Sequence, residues 1–224
     1  MKILLSGLAA CVCIGLAGTR ASAADPTTDT QKTLYALGVA MSQSLGDFAL
    51  SAAELEIVKA GLGDGVLKRP LKVEMETFGP KIQPMAEARA EAISKKETAL
   101  GVTYLAKAAA EAGAKKTESG AIVKALKDGA GKSPTAADTV KVHYHGTLID
   151  GTVFDSSVRR GEPATFPLSG VIKCWTEGVQ QIKVGGKSRL VCPAELAYGD
   201  RGSPPNIKPG ATLVFEVELL EIVK

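Results

Sequence analysis

The chain has few of the residues that most enzyme chemistries require. Its 224 residues include two histidines, four cysteines and one tryptophan. It contains no Gly-rich phosphate loop, no Gly-x-Ser-x-Gly nucleophile elbow and no Cys-x-x-Cys pair. The histidines, His143 and His145, lie two positions apart, and a third His or Cys ligand is not apparent. Because zinc sites usually take three or four protein ligands, we expect both histidines to lie on an exposed sheet face and to bind no metal.

The chain also lacks a strong excess of charge of either sign. Its formal net charge is +3 at pH 7, and removal of the first 23 residues, with Lys2 and Arg20, lowers this charge to +1. Nucleic acids and anionic membrane surfaces attract strongly basic proteins. The composition therefore predicts neither of these partners.

An apolar run at residues 3–17 lies between Lys2 and the small-x-small sequence Ala21-Ser22-Ala23. This order of regions is typical of a secretory signal peptide, so we expect cleavage after Ala23 and export to the periplasm. One alternative is a membrane anchor, although the run falls short of the ~20 residues that a spanning helix needs. The other is a lipoprotein signal ending at Cys11, which would have an unusually short apolar region and would attach the protein to the outer membrane.

Cleavage would leave only two cysteines, Cys174 and Cys192. An even pair in an exported protein predicts a disulfide, because the compartment is oxidising. The alternative is a pair of small buried thiols, which is a frequent role of free cysteine.

The ten aromatic residues are unevenly distributed, and six of them lie beyond residue 139. The earlier part is rich in Ala, Leu, Lys and Glu, which favour helices, whereas aromatic residues favour strands. The predicted fold class is α+β. We expect a signal peptide at 1–23, a helical domain with a stalk helix at 24–113, an entering strand and loop at 114–139 and a sheet domain at 140–224.

Apolar residues from position 29 to Phe48 recur at spacings of three and four, which predicts a helix. Ser51 and Glu54 form a capping-box pattern that begins a second helix, ending near Gly63. An Ala-rich segment at 81–113 predicts a third helix of about 48 Å, with Pro84 tolerated in its first turn. This helix could pack back on the sheet domain or stand free as a stalk. We favour the free-standing stalk because alanine buries little surface.

In the second half of the chain, apolar and polar residues alternate at 140–145 and at 212–219, which predicts half-buried strands. An entering strand is expected at 121–126, followed by a polar loop rich in Gly and Pro. A short helix starting near Ile172 would lie across the sheet. The pattern by itself supports an antiparallel α+β domain.

Several motifs follow one another in this half. They are Val142-His143-Tyr144-His145-Gly146, Gly151-Thr152-Val153-Phe154-Asp155-Ser156-Ser157, Trp175-Thr176-Glu177-Gly178, Ala197-Tyr198-Gly199-Asp200-Arg201-Gly202 and Ala211-Thr212-Leu213-Val214-Phe215-Glu216-Val217-Glu218-Leu219. In this order they resemble the FKBP-type peptidyl-prolyl cis-trans isomerases. The resemblance implies an antiparallel sheet of five or six strands, strongly curved around a short helix. It also implies isomerisation of X-Pro bonds in polypeptide clients without a cofactor, and inhibition by FKBP-directed macrolides.

The resemblance also implies a site. The catalytic residues would be Phe154, Asp155, Trp175, Tyr198 and Phe215, and the substrate-binding residues Tyr144, Val171, Ile172 and Ile207. Trp175 would form the floor of a proline pocket, Tyr198 would bind the substrate carbonyl and Asp155 would polarise or orient it. The alternative for the aromatic residues is a purely structural place in the core. Ala164 and Asn206 depart from the family pattern and put the substrate preference in doubt.

Residues 50–55 and 78–82 resemble the amino-terminal domain of Mip-like and FkpA-like bacterial isomerases. This resemblance implies a dimerisation domain at 24–113 and a V-shaped homodimer. Two short amphipathic helices cannot build a sizeable core alone, which also favours a second copy of the chain as partner. We expect an isomerase with chaperone activity that assists the folding of exported proteins. The alternative is a non-catalytic chaperone that holds clients in the dimer cleft.

Overall fold

The computed structural model describes residues 25–223, with the side chain of Asp47 excepted. The predicted signal peptide, its cleavage site and Cys11 therefore lie outside the described residues. These residues divide into two compact units, which meet in the sequence between Val39 and Ala40. Within the part of the chain that the structure describes, no helix is both long and apolar enough to cross a membrane.

The amino-terminal half is helical, as predicted. It contains α1 (Asp29–Ser42), α2 (Ala52–Val66), α3 (Met75–Phe78) and α4 (Ile82–Ala109), with 3₁₀ turns at Gln43–Phe48 and Gly79–Lys81. The predicted first helix is α-helical only to Ser42 and continues as the 3₁₀ turn to Phe48. Ala49, which follows, is in the left-handed conformation.

The predicted capping box at the start of α2 is confirmed. Ser51 Oγ accepts a hydrogen bond from the Glu54 amide at 3.3 Å, and the Glu54 carboxylate accepts one from the Ser51 amide at 2.8 Å. Arg89 of α4 also binds this carboxylate and donates to the Phe48 carbonyl at 2.7 Å. Hydrogen bonds from Ser51 and Arg89 lower the pKa of Glu54 to about 2. The start of α2 is thus tied to α4.

The helix α4 does not stand free, and our prediction of a free-standing stalk is wrong. Its buried residues, Ala86, Ser94, Gly101 and Ala108, recur every seven or eight positions and so lie on one face. Small side chains bury little area individually, but they let the helix backbone approach its neighbours closely. Pro84 lies in the first turn, as expected.

The carboxyl-terminal half is one antiparallel sheet of seven strands, whereas the resemblance implied five or six. The strands are β1 (Ala114–Lys116), β2 (Ile122–Lys127), β3 (Thr139–Leu148), β4 (Val153–Ser156), β5 (Ala164–Pro167), β6 (Lys187–Cys192) and β7 (Leu213–Val223). Their order is β1-β2-β6-β7-β3-β4, with β5 paired to β3. The short helices are α5 (Ser157–Arg160) and α6 (Lys173–Val179).

Two hydrophobic clusters lie on opposite faces of the sheet. The larger contains the alternating residues of β3 and β7 together with α6, which begins after Ile172 as predicted. A smaller cluster joins Ala108 of α4 to Ile122, Val191 and Val214. The carboxyl-terminal end of α4 therefore covers part of the outer face of the sheet.

Ion pairs fix this end of the helix. Glu111, just beyond α4, binds Arg189 of β6 at 2.5 Å and Lys124 of β2 at 2.9 Å. Hydrogen bonds from Arg189 and Lys124 lower the pKa of Glu111 to about 2.

The disulfide predicted between Cys174 and Cys192 is present, with the Cα atoms 5.6 Å apart. Both residues are fully buried, and the bond ties α6 to β6. Close packing at Gly178 adds to this attachment, because a Cβ there would lie 2.8 Å from a methyl carbon of Leu190. The helix that carries Trp175 is thus held against the sheet covalently and by packing.

The two histidines lie on β3 and are half-buried, not exposed as expected. His143 Nδ1 lies 3.2 Å from Ser157 Oγ, and His145 Nδ1 lies 3.0 Å from Ser156 Oγ. Their ring nitrogens therefore bond to serines at the end of β4 and the start of α5.

Candidate functional site

An aromatic cavity of about 370 Å³ opens on the inner face of the sheet. It is lined by Tyr144, Phe154, Asp155, Phe166, Gly170, Val171, Ile172, Trp175, Tyr198 and Phe215. Binding sites for small molecules typically occupy about 300–1,000 Å³ and combine mostly apolar walls with a few polar groups. The volume and lining of this cavity fit a small apolar ring.

Trp175 lies at the centre of the aromatic cluster and is only 4% exposed. Its ring is nearly perpendicular to those of Tyr144, Phe166 and Phe215, with centroids 5.3, 5.7 and 5.3 Å away. Edge-to-face pairs at such distances are favourable. Its buried indole Nε1 has no hydrogen-bond partner among the described residues. Aromatic rings thus surround and hold this side chain, as the predicted pocket floor requires.

Gly146 of β3 makes room for a second aromatic pair. Phe154 and Phe215 meet edge to face, with centroids 5.4 Å apart. In the sheet register Gly146 faces Asp155 on one side and Phe215 on the other. A Cβ on Gly146 would lie 2.7 Å from Phe154 Cζ and 3.1 Å from Phe215 Cε1. Only glycine therefore fits here without displacing a ring.

A hydrogen-bonded network forms one rim of the cavity. Tyr144 donates its hydroxyl proton to one carboxylate oxygen of Asp155, and Arg160 donates to the other oxygen. Arg160 also donates to the Tyr144 hydroxyl at 2.9 Å, and its guanidinium lies over the Tyr144 ring at 5.6 Å. Both oxygens of Asp155 are thus occupied and oriented.

This network sets the protonation of its members. Partial burial raises the pKa of Asp155, but hydrogen bonds from Tyr144 and Arg160 outweigh this effect and hold the pKa below its ordinary value. Burial and the hydrogen bond to Asp155 raise the pKa of Tyr144. The pair is therefore a carboxylate and a neutral phenol at neutral pH.

Tyr198 also lines the cavity and is 42% exposed. Its hydroxyl has no hydrogen-bond partner among the described residues, unlike that of Tyr144. The residue precedes a 3₁₀ turn, Gly199–Arg201, at the start of the connection to β7. The Tyr198 hydroxyl is thus available to a ligand.

The structure brings together eight of the nine predicted site residues around the aromatic cavity. Ile207 is the exception: it is 5% exposed and lines an adjoining recess shared with Phe154, Asp155, Tyr198 and Asn206. Ala164 is not among the lining residues, whereas Phe166 is.

Arg160 and Gly146 were not among the predicted site residues. Arg160 follows Asp155 by five residues, but Asp155 lies on β4 and Arg160 on α5. Because the two residues lie on different elements, no single periodicity in the sequence indicates that they meet. Gly146 carried a weak signal, because glycine inside a strand often marks a place of close approach.

The fold and the cavity together define an antiparallel α+β protein whose aromatic-walled cavity has the size of a small apolar ring, with a carboxylate and a phenol at the rim. A family model described as FKBP-type peptidyl-prolyl cis-trans isomerase matches residues 131–220. A model described as the domain amino terminal to FKBP-type peptidyl-prolyl isomerase matches residues 30–124.

Individual proteins agree with these models. The FKBP-type 22 kDa peptidyl-prolyl cis-trans isomerase of Escherichia coli K12 is 42% identical over 204 residues, covering 88% of this chain and 98% of that protein. FkpA of the same strain is 39% identical over 206 residues, covering 87% of this chain and 76% of FkpA. The crystal structure of FkpA from Escherichia coli matches with a TM-score of 0.65 and 37% identity, covering 88% of this chain and 97% of that one.

The chain belongs to the FKBP-type peptidyl-prolyl cis-trans isomerases. The family predicted from the motifs is confirmed, and so is its α+β fold, with amino-terminal helices followed by the antiparallel sheet.

Proposed function

We propose that the aromatic cavity isomerises X-Pro bonds by binding the proline ring over Trp175 and stabilising a twisted amide. An X-Pro bond resists rotation because amide resonance gives a barrier of ~18–20 kcal/mol. Resonance separates charge, and water stabilises that charge. A twisted amide has less charge separation than the planar form. It is therefore relatively favoured where water is excluded. The observation that carries this proposal is the half-enclosed cavity with Trp175 among three other aromatic rings.

In this proposal the polar groups at the rim orient the substrate. The free Tyr198 hydroxyl donates to a substrate carbonyl, and the carboxylate of Asp155 polarises or orients the carbonyl region next to the rotating bond. Tyr144 and Arg160 hold this carboxylate in place. The reaction needs no proton transfer, so these groups act by position and charge.

The test is the relaxation of a Leu-Pro peptide from cis to trans, measured with and without an FKBP-directed macrolide. We expect acceleration that the macrolide abolishes. Asp155→Ala and Tyr198→Phe should each lower kcat/KM, by about tenfold for loss of one oriented hydrogen bond. Unchanged kcat/KM in both folded variants would contradict the roles given to these residues.

We also propose that the chain forms a homodimer through its amino-terminal helices. The helices α1, α2 and α3 contain no buried residue in the described chain, and α2 leaves Ile57 73% and Val66 70% exposed. Ile57, Leu71, Val73 and Met75 line an apolar groove. An extended apolar surface of this kind marks an interaction site, and a second copy of the chain is always available to cover it.

Sedimentation equilibrium at micromolar concentration tests the dimer. We expect twice the chain mass for the wild type and dissociation for the double variant Ile57→Ser and Val66→Ser. Val102→Ser is a matched control, because Val102 is 63% exposed but lies on α4. A monomeric wild type would refute the dimer.

Client holding is proposed as a second activity, located between the two copies in the periplasm. It predicts that Asp155→Ala still suppresses aggregation of an unfolded client while peptide turnover is reduced. A variant that loses both activities together, with its fold intact, would place client binding in the aromatic cavity. Export predicts a mature amino terminus at residue 24, which mass spectrometry of the protein from its native source would detect.

A further inference from the structure

The long helix α4 contacts the segment that carries Tyr198. Ser94 of α4 is 7% exposed, and its Oγ donates to Asp200 Oδ1 at 2.7 Å. Asp200 belongs to the 3₁₀ turn Gly199–Arg201, which begins immediately after Tyr198. A side chain on the connecting helix is thus bonded two residues away from a side chain of the cavity.

Ser94 also touches the far end of the same segment. Gly210 has a φ of +72°, and a Cβ on it would lie 2.6 Å from the Ser94 carbonyl oxygen and 2.7 Å from Ser94 Oγ. The Gly210 amide donates to the Gly199 carbonyl at 3.0 Å, which closes the segment into a loop. Ser94 therefore contacts both ends of this loop.

Two neighbouring contacts extend the docking along α4. Glu97 binds Lys208 Nζ at 3.1 Å, and its side chain is only 13% exposed. One turn further, a Cβ on Gly101 would lie 2.2 Å from Thr212 Oγ1, so that only glycine allows this approach. The helix thus follows the segment from Asp200 to the start of β7.

The docked segment is bracketed by cavity residues. Tyr198 precedes it and Phe215 follows it, and both line the site. Phe215 is 5% exposed and fixed in the sheet, whereas Tyr198 is 42% exposed and lies outside any strand. The position of the Tyr198 hydroxyl therefore depends mainly on how the segment is held.

We infer that Ser94 is a positioning residue for catalysis: its bond to Asp200 holds the Tyr198 segment so that the hydroxyl reaches the substrate carbonyl. The inference rests on the role proposed for Tyr198. Through this contact the amino-terminal domain acts on the isomerase site, because α4 connects the two. A hydroxyl displaced by even ~1 Å from its productive position loses much of its effect on the rate.

The experiment measures kcat/KM for a Leu-Pro peptide with the full chain in two backgrounds. In the wild-type background, Ser94→Ala and Asp200→Ala should each lower kcat/KM about three- to tenfold, and the double variant should lose no more than either single one. In a Tyr198→Phe background, Ser94→Ala should have no further effect. A purely structural serine would lower kcat/KM equally in both backgrounds.

Thr103→Ala is the matched control on the same helix, because Thr103 is exposed and its hydroxyl bonds only to the Ala99 carbonyl within α4. It should keep wild-type kcat/KM. Urea unfolding of every variant shows whether the fold is retained. Asp200→Ala removes the same Ser94–Asp200 hydrogen bond by changing an exposed residue.

The outcomes separate this inference from the proposed function. If Tyr198→Phe lowers kcat/KM and Ser94→Ala does not, the inference is overturned and the proposed function stands. Equal losses from Ser94→Ala in both backgrounds also overturn it, because the serine then acts without Tyr198. If Tyr198→Phe has no effect, the role proposed for that hydroxyl fails, and the inference fails with it.

Discussion

Gly146→Ala tests whether the aromatic wall depends on the absence of a side chain. Gly146 lies inside β3, on the same face as Tyr144, between Phe215 of β7 and Asp155 of β4 in the register. The added methyl group would point toward the rings of Phe154 and Phe215. The substitution changes no charge and no hydrogen bond, so its effect is steric.

The size of the effect follows from the distances. The new Cβ would lie 2.7 Å from Phe154 Cζ and 3.1 Å from Phe215 Cε1, whereas carbon atoms normally meet at ~3.5–4.0 Å. Phe215 is buried and cannot retreat, so the half-buried Phe154 ring must move by about 1 Å. Overpacking of this kind costs ~1–3 kcal/mol of stability. A wall shifted by this distance should lower kcat/KM about 10- to 100-fold.

Peptide relaxation gives kcat/KM, and urea unfolding followed by fluorescence of the single tryptophan gives the free energy of unfolding. Gly146→Ala combined with Phe154→Leu is the compensating variant, because the smaller side chain restores room for the methyl group. The double variant should lose less unfolding free energy than the two single variants lose when their losses are added.

Gly38→Ala is the control for an added methyl group, since a Cβ at Gly38 in α1 has nothing within 4 Å. It should keep wild-type kcat/KM and should not lower the free energy of unfolding, because alanine favours a helix interior more than glycine. Wild-type stability and kcat/KM in Gly146→Ala would refute the reasoning, because they would mean that the Phe154 ring is not held against the strand.

Three further predictions concern charge and the disulfide. Arg160→Ala should raise the pKa of Asp155, so the acid limb of the kcat/KM profile should move to higher pH; an unmoved limb would contradict this. Cys174→Ser with Cys192→Ser should lower the unfolding free energy by ~3 kcal/mol in urea titrations, with kcat/KM retained in the folded variant. The stabilisation from Glu111 is complete above its ordinary pKa of 4.5 and is lost as pH falls toward about 2. In Glu111→Gln the midpoint of urea unfolding should therefore change less with pH over this range than in the wild type.

Much of the fold was predictable because its signals are local. The capping box of Ser51 and Glu54 spans three residues, and the alternation in β3 and β7 records which side chains face the core. The order of the motifs also identified the family and eight residues of the cavity. Local patterns of this kind survive in the sequence because each depends on a few neighbouring positions.

Other site residues could not be predicted, because their roles depend on packing between distant segments. Arg160 looks like any exposed arginine until the chain brings it against Asp155 and Tyr144. The glycine at 146 is required only because two rings from other strands meet there. Ile207 matches the family motif, yet the closure of its loop turns it into the core and the adjoining recess.

The helical and sheet halves, the cysteine pair and the aromatic set could all be predicted, because periodicity and residue type encode which surfaces must be buried. The place of α4 could not. Its alanines, serine and glycine predicted a helix with little to bury, yet the same small side chains let it approach the sheet domain closely enough for Ser94 to bond Asp200, 106 residues away. Contacts over such separations depend on the shape of two surfaces, and neither surface exists until the chain has folded.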